Sequence, residues 1–213
     1  MTASRTPAPA GPELAGLILA GGLSSRMGGG IKGLRLLAGK PMLAHVIARI
    51  APQLGRLAVN ANAPGCEGFG LPVLADTVAG HPGPLAGILA GLGWAEATGA
   101  DWLLTAPGDA PFLPRDLVAR LRAASDGERP VMARSASGLQ PVVGLWPTRL
   151  GPGLADWLAR GGSRRVQDWA FAAGAVICEV PDPGDGPEAF FNVNTAEDLA
   201  EAERWVAGSG GKA

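Results

Sequence analysis

The 213-residue sequence predicts an α/β fold of three layers, with helices on both faces of a mainly parallel sheet. Three observations carry this. Short apolar runs alternate with segments of helical period along the chain. The first run, AGLILA at 15–20, is apolar at every position, as a strand buried on both faces requires. Hydrophobic residues make up 47% and charged residues 17%, which supplies a core and gives no signature of disorder.

The elements follow in order. The strand at 15–20 is stopped by Gly21-Gly22. Pro41 then reads as the first residue of a helix with Met42, Leu43, Val46, Ile47 and Ile50 on one side. Strands are predicted at 56–62 and, shorter, at 71–76. A Gly/Pro-rich loop at 79–84 feeds an apolar helix at 85–97. Residues 101–109 read as a strand ending in a turn, and a helix follows Pro114 at 115–124. The second half is less regular, with strands at 130–134 and 139–147, helices at 150–159 and 163–173, and a last strand at 175–180. The closing helix starts with a T-x-x-D capping box, Thr195 and Asp198. No internal repeat is visible. Residues 1–13 and 208–213 read as disordered tails, which leaves one domain over 14–207.

Composition excludes several classes. The 33 glycines and 19 prolines approach the level of a low-complexity chain, but they are neither G-X-Y periodic nor gathered in a polar tract. Many fall between apolar runs, where turns and backbone-lined sites need them. With 18 basic against 19 acidic residues, net charge −1, nothing suggests a nucleic-acid or anionic-membrane surface. The apolar stretch at 14–20 is too short to span a bilayer, and no signal-peptide pattern precedes it, so the chain reads as cytoplasmic. Cys66 and Cys178 have no metal-ligand spacing; they read as free thiols, with a disulfide as the alternative.

In an open parallel sheet, ligands bind beyond the C-terminal strand ends, so the segments after each strand are the informative ones. After the first strand comes GGLSSRMGGGIKG at 21–33, rich in Gly, with Arg26 and Lys32. Such a loop can point backbone N–H groups and two cations at a polyphosphate. Gly28, Gly30 and Gly33 satisfy G-x-G-x-x-G by spacing alone, eight residues after the strand and with no acidic residue about 20 positions on. Gly39-Lys40 is followed by Pro41, so it is no Walker A loop. The second segment is PGDAP at 107–111. Its Asp109 is placed to hold Mg²⁺ as a hard oxygen ligand, or serves only the turn; the phosphate loop beside it favours the metal. Asp76 is a similar candidate. Asn60 and Asn62 share one strand face and either read a base or ribose edge or cap the next turn. In FFNVNTAED at 190–198, capping accounts for Thr195 and can account for Asn194 without a ligand, whereas Asn192 has no such ready explanation. Arg164 and Arg165 either bind a second anion or form a solvated helix face. His45 reads as structural, and the six tryptophans mostly as core.

These residues resemble a known family. Leu19-Ala20-Gly21-Gly22, Ser24, Arg26-Met27-Gly28 and Lys32 are similar to the L-A-G-G-x-S-x-R-M-G…K signature of nucleotidyltransferases with a Rossmann-like fold. VNAN at 59–62, HPGPLAG at 81–87, PGDAPFLP at 107–114, RRV at 164–166 and FNVNT at 191–195 narrow the resemblance to the molybdenum cofactor guanylyltransferases. The matches keep the family's order over about residues 15–207. The resemblance implies Mg²⁺-dependent transfer of GMP from GTP to molybdenum–molybdopterin, with release of pyrophosphate. It implies cofactor-insertion proteins or molybdoenzymes as further partners. Leu19, Ala20 and Gly21 would line the guanine nucleotide site, Lys32 would meet its phosphates, Asn60 and Asp76 would contact the nucleotide, and Asp109 would hold nucleotide and Mg²⁺. Arg26, with Lys32 and Asp109, would serve catalysis. Gly29, Gly87, Asn192 and Asn194 would complete the cleft on the side of the second substrate. One departure stands out: the family often has Asp immediately before the lysine, and this chain has Ile31. Either that acid merely orients the loop, or the activity is altered.

The chemistry expected of such a site agrees. A terminal phosphate is ionised near neutral pH, so its attack on an α-phosphorus calls for charge neutralisation and alignment rather than a strong base. Rival readings are a cytidylyltransferase or sugar-phosphate nucleotidyltransferase of the same fold, and a non-catalytic nucleotide-binding protein that delivers cofactor.

Overall fold

The computed structural model describes residues 13–21, 30–78, 83–184 and 186–209. Strand β1 (Leu14–Leu19) is followed by two short strands, β2 (Leu36–Leu37) and β3 (Lys40–Pro41), and by α1 (Met42–Ile50). Then come β4 (Arg56–Asn60), β5 (Val73–Leu74), α2 (Pro84–Ala97), β6 (Trp102–Pro107) and α3 (Leu117–Ala124). The chain continues through β7 (Val131–Ser135), β8 (Gly138–Pro147), α4 (Gly151–Ala159), α5 (Val166–Ala172), β9 (Val176–Glu179) and α6 (Ala196–Ser209).

Seven strands form one sheet in the order β5-β4-β1-β6-β8-β7-β9, while β2 and β3 pair separately. Every pairing in the large sheet is parallel except those made by β8. The mainly parallel sheet is therefore as predicted. From β1 the chain moves outward to β4 and β5, then returns to lay β6 on the other side of β1. The β1/β6 boundary is a topological switch point, and a crevice opens outside the carboxyl ends of those two strands.

Side chains of successive strand residues alternate between two cores. Ile18, Val59, Leu104 and Val131 join Leu43, Val46 and Ile50 of α1 and Leu117 and Leu121 of α3 on one face. Leu17, Ala58, Leu103 and Met132 join Leu85, Ile88 and Leu92 of α2, Leu154 of α4 and Trp169 of α5 on the other. This gives the three layers. A third cluster, of Leu37, Met42, Phe112, Val193 and Ala202, docks α6 beside the cleft end of the molecule.

Several boundaries differ from expectation, each for a local reason. Pro41 is not helical: it pairs with Leu36 in the β2–β3 hairpin and caps α1, which starts at Met42. That hairpin was not predicted. Its turn is Ala38-Gly39, both at positive φ (50° and 78°), as a two-residue hairpin turn requires. The strand expected at 71–76 pairs only at Val73 and Leu74, and the helix expected at 163–173 covers Val166–Ala172. Cys66 and Cys178 are both buried and free. Trp146 is fully buried and Trp102 and Trp169 nearly so, whereas Trp205 is exposed. No described helix is long and apolar enough to cross a membrane.

Candidate active site

A cleft of about 600 Å³ opens at the carboxyl ends of β1, β4 and β6. It is lined by Leu19, Ala20 and Gly21 after β1, and by Ile31, Lys32 and Gly33. Asn60, Asn62 and Ala63 after β4, Asp76 after β5, and Pro107, Gly108 and Asp109 after β6 complete its floor and sides. Gly83, Pro84, Val142, Asn192 and Asn194 form the remaining rim. Nine of the residues expected in a site are thus brought together: Leu19, Ala20, Gly21, Lys32, Asn60, Asp76, Asp109, Asn192 and Asn194. Arg26 and Gly29 lie outside the described residues.

The backbone fixes the floor. Gly108 N–H donates to the Leu19 carbonyl at 3.0 Å and Ala20 N–H to the Asn60 carbonyl at 2.9 Å, so three strand ends are tied where the ladder stops. Asp109 follows at once. Its side chain is 21% exposed and, among the described residues, its nearest cation is Lys32, Nζ lying 3.9 Å from Oδ2. Burial pushes the Asp109 carboxyl above the usual range, against the opposing pull of Lys32 and of its own backbone N–H. Downstream, the loop is clamped from α1 and the 3-10 turn that follows it. Arg49 Nη1 donates to the Leu113 carbonyl at 3.0 Å, and Gln53 Nε2 to the Pro114 carbonyl at 3.2 Å.

Lys32 opens a short 3-10 turn after Ile31. Its Nζ donates to Asn194 Oδ1 at 2.7 Å, across 162 residues of sequence. Ile31 is 5% exposed and joins the α1/α3 core while also reaching the cleft. An apolar residue fits that packing.

On the opposite wall, the Asp76 carboxylate accepts from Asn60 Nδ2 at 2.9 Å and Asn62 Nδ2 at 2.8 Å, and Asp76 N–H donates to Asn62 Oδ1 at 2.8 Å. Asn60 Nδ2 also donates to the Leu74 carbonyl at 3.0 Å. The two amides therefore serve to orient Asp76. Gly87 does not line the cleft. It lies in α2 behind Asn60, and a Cβ there would overlap Asn60 Oδ1 and sit 2.8 Å from Leu19 Cδ2. The glycine lets α2 approach this wall, and Gly83 and Pro84 at the start of the helix face the cleft with the positive end of its dipole. Arg164 and Arg165 are exposed before α5 and do not line the cleft.

Val142 was not foreseen. The β7–β8 register shifts between Met132 and Ala133, leaving extra residues on β8. Such a bulge re-aims side chains, and Val142 reaches the cleft. Thr105 Oγ1 donates to the Val142 carbonyl at 2.8 Å and accepts from Trp146 Nε1 at 2.7 Å, which satisfies the buried polar groups. Among the described residues, no group of three or more His, Cys, Asp or Glu is placed to hold a metal ion. A cation here would rest on Asp109 and on its ligand's own oxygens.

Comparison with known proteins gives this geometry its context. Residues 16–175 match the family described as the MobA-like NTP transferase domain. A Rhodopseudomonas palustris protein named molybdenum cofactor guanylyltransferase is 49% identical over 199 residues, covering 91% of this chain and 94% of its own length. A Bradyrhizobium protein of the same name is 48% identical over 213 residues, covering 97% of each. Among solved structures, molybdopterin-guanine dinucleotide biosynthesis protein A from Archaeoglobus fulgidus superposes with a TM-score of 0.69 at 19% identity, over 91% of this chain and 99% of that one. At that identity, the likeness concerns the fold alone.

Proposed function

The chain belongs to the molybdenum cofactor guanylyltransferase family, the MobA-like NTP transferases, and from that premise we propose that it moves GMP from GTP to the terminal phosphate of molybdenum–molybdopterin. The products would be the guanine dinucleotide form of the cofactor and pyrophosphate. The observation that carries this reading is the meeting of one ammonium, one mostly buried carboxylate and a rim of amides at the β1/β6 switch point. That set suits transfer between two polyanions, which needs alignment and charge neutralisation more than a proton acceptor.

Lys32 would hold the triphosphate from one side, with Arg26 of the preceding glycine-rich loop as a second cation. Leu19, Ala20 and Gly21 would flank the nucleotide, and Asp76, oriented by Asn60 and Asn62, would contact it from the far wall. Asn192, on the cleft rim, would contact the second substrate. The acceptor phosphate is ionised near neutral pH, so no residue need remove its proton.

Asp109 fits a divalent cation. Among the described residues its nearest ammonium stands at 3.9 Å, and burial raises its carboxyl. Mg²⁺ is commonly held by one or two carboxylates together with substrate phosphates; Asp109 and the phosphate oxygens would supply those ligands. When bound, the ion would neutralise charge on the reacting phosphate.

The test is turnover of GTP and molybdenum–molybdopterin across a Mg²⁺ titration, comparing wild type with Asp109→Ala. The expected result is saturable Mg²⁺ dependence in the wild type and loss of at least about a hundredfold in the variant, with an unchanged circular dichroism spectrum. Wild-type turnover in Asp109→Ala would remove this residue from the mechanism.

A further inference from the structure

Lys32 is aimed by a neutral group. Its Nζ donates a short hydrogen bond, 2.7 Å, to the side-chain carbonyl of Asn194, while the Asp109 carboxylate stands off at 3.9 Å. Asn194 is itself held on both sides. Its N–H and that of Thr195 each donate to Asp198 Oδ2 at 2.8 Å, and Asp198 N–H returns a bond to Thr195 Oγ1 at 3.1 Å. One residue upstream, Val193 N–H donates to the Asp109 carbonyl at 3.0 Å, and the Val193 side chain is buried under α6. The first turn of α6 and the Asp109 loop thus fix where the Asn194 amide lies.

We propose that Asn194 is a positioning residue for the nucleotide half of the site, acting through Lys32 rather than as a ligand of the second substrate. A lysine left free loses rotamer entropy when it closes on a phosphate. A preformed anchor removes part of that cost. An ammonium has three N–H donors, so one bond to Asn194 leaves others for the cleft. A carbonyl supplies orientation without a counter-charge, whereas a carboxylate at the same distance would compete with the phosphate for the ammonium.

The inference rests on the reading above that Lys32 binds nucleotide phosphates, and calorimetric titration of GTP with Mg²⁺, without any second substrate, separates the two. Lys32→Met is expected to weaken GTP. Asn194→Ala is expected to weaken it about tenfold, the scale of a lost charge-assisted hydrogen bond, and to add nothing further in the Lys32→Met background. Asn194→Asp keeps the shape of the side chain and is expected to weaken GTP as well, which a merely structural role would not produce. Wild-type affinity in Asn194→Ala or Asn194→Asp, beside a weakened Lys32→Met, would overturn the proposal and leave Lys32 in place. Additive losses in the double variant would also overturn it. Wild-type affinity in Lys32→Met would overturn both the proposal and the phosphate role of Lys32.

Discussion

Asp109 and Asp76 reach the cleft directly after β6 and β5, where a parallel sheet presents its ligands, and Lys32 reaches it from the far end of the glycine-rich segment after β1. Asn62 was harder to read. Its bonds to Asp76 depend on β4 and β5 lying side by side, which its own neighbourhood does not encode. Gly87 was expected beside the second substrate; it stands behind Asn60, and its role follows from the close approach of α2. This has a measurable consequence. In Gly87→Ala the new methyl group would push on Asn60 and break its bonds to Asp76 and the Leu74 carbonyl. The expected cost is about 1–3 kcal/mol of stability, as for other overpacked sites, together with weaker GTP binding. A thermal midpoint and a GTP affinity both equal to wild type would show that this wall tolerates the methyl group. Ile31 teaches a related lesson. Its apolar side chain fits its place in the α1/α3 core, something only the packing reveals.

At the scale of elements, long periodic segments were read well and pairings were not. The helices at α1, α2 and α3 and the strands β1 and β6 lie close to where apolar patterning puts them. The β2–β3 hairpin is only two residues per strand, too short for alternation to register, and the β8 bulge is a property of two strands together. The capping box of α6 was read from T-x-x-D and is present, with Asp198 receiving the Asn194 and Thr195 N–H groups. Burial works to raise the Asp198 carboxyl, but these hydrogen bonds outweigh it and hold the group below its ordinary value. A depressed carboxyl contributes stability above its unfolded pKa, about 3.9, and loses that contribution as pH falls through the folded value. Asp198→Asn is therefore expected to be less stable than wild type at neutral pH by about 1 kcal/mol. The gap should close as pH falls through the folded-state value. A difference in thermal midpoint that persists unchanged into acid would assign the effect to something other than the carboxylate.

For the molecule as a whole, the glycine and proline content that hinted at low complexity has a partial structural home. Gly21, Gly33, Gly83, Pro84, Pro107 and Gly108 all line the cleft, where bare or sharply bent backbone shapes a wall. The chain's reversal between β1 and β6 puts that cleft at the carboxyl edge of the sheet, and α6 returns from the far end of the sequence to close one side. Fold and cleft position were legible from strand–helix alternation and apolar patterning; the choice of nucleotide base was not, because no described contact discriminates one base edge from another. The most direct measurement uses nucleoside triphosphates labelled at the α- or the γ-phosphate, each incubated with Mg²⁺, molybdenum–molybdopterin and the protein. With GTP, the α-label is expected in a dinucleotide product and the γ-label in pyrophosphate, with ATP, CTP and UTP left largely unreacted. Transfer of the label from CTP instead of GTP, or GTP bound with neither label transferred, would contradict guanylyl transfer by this cleft.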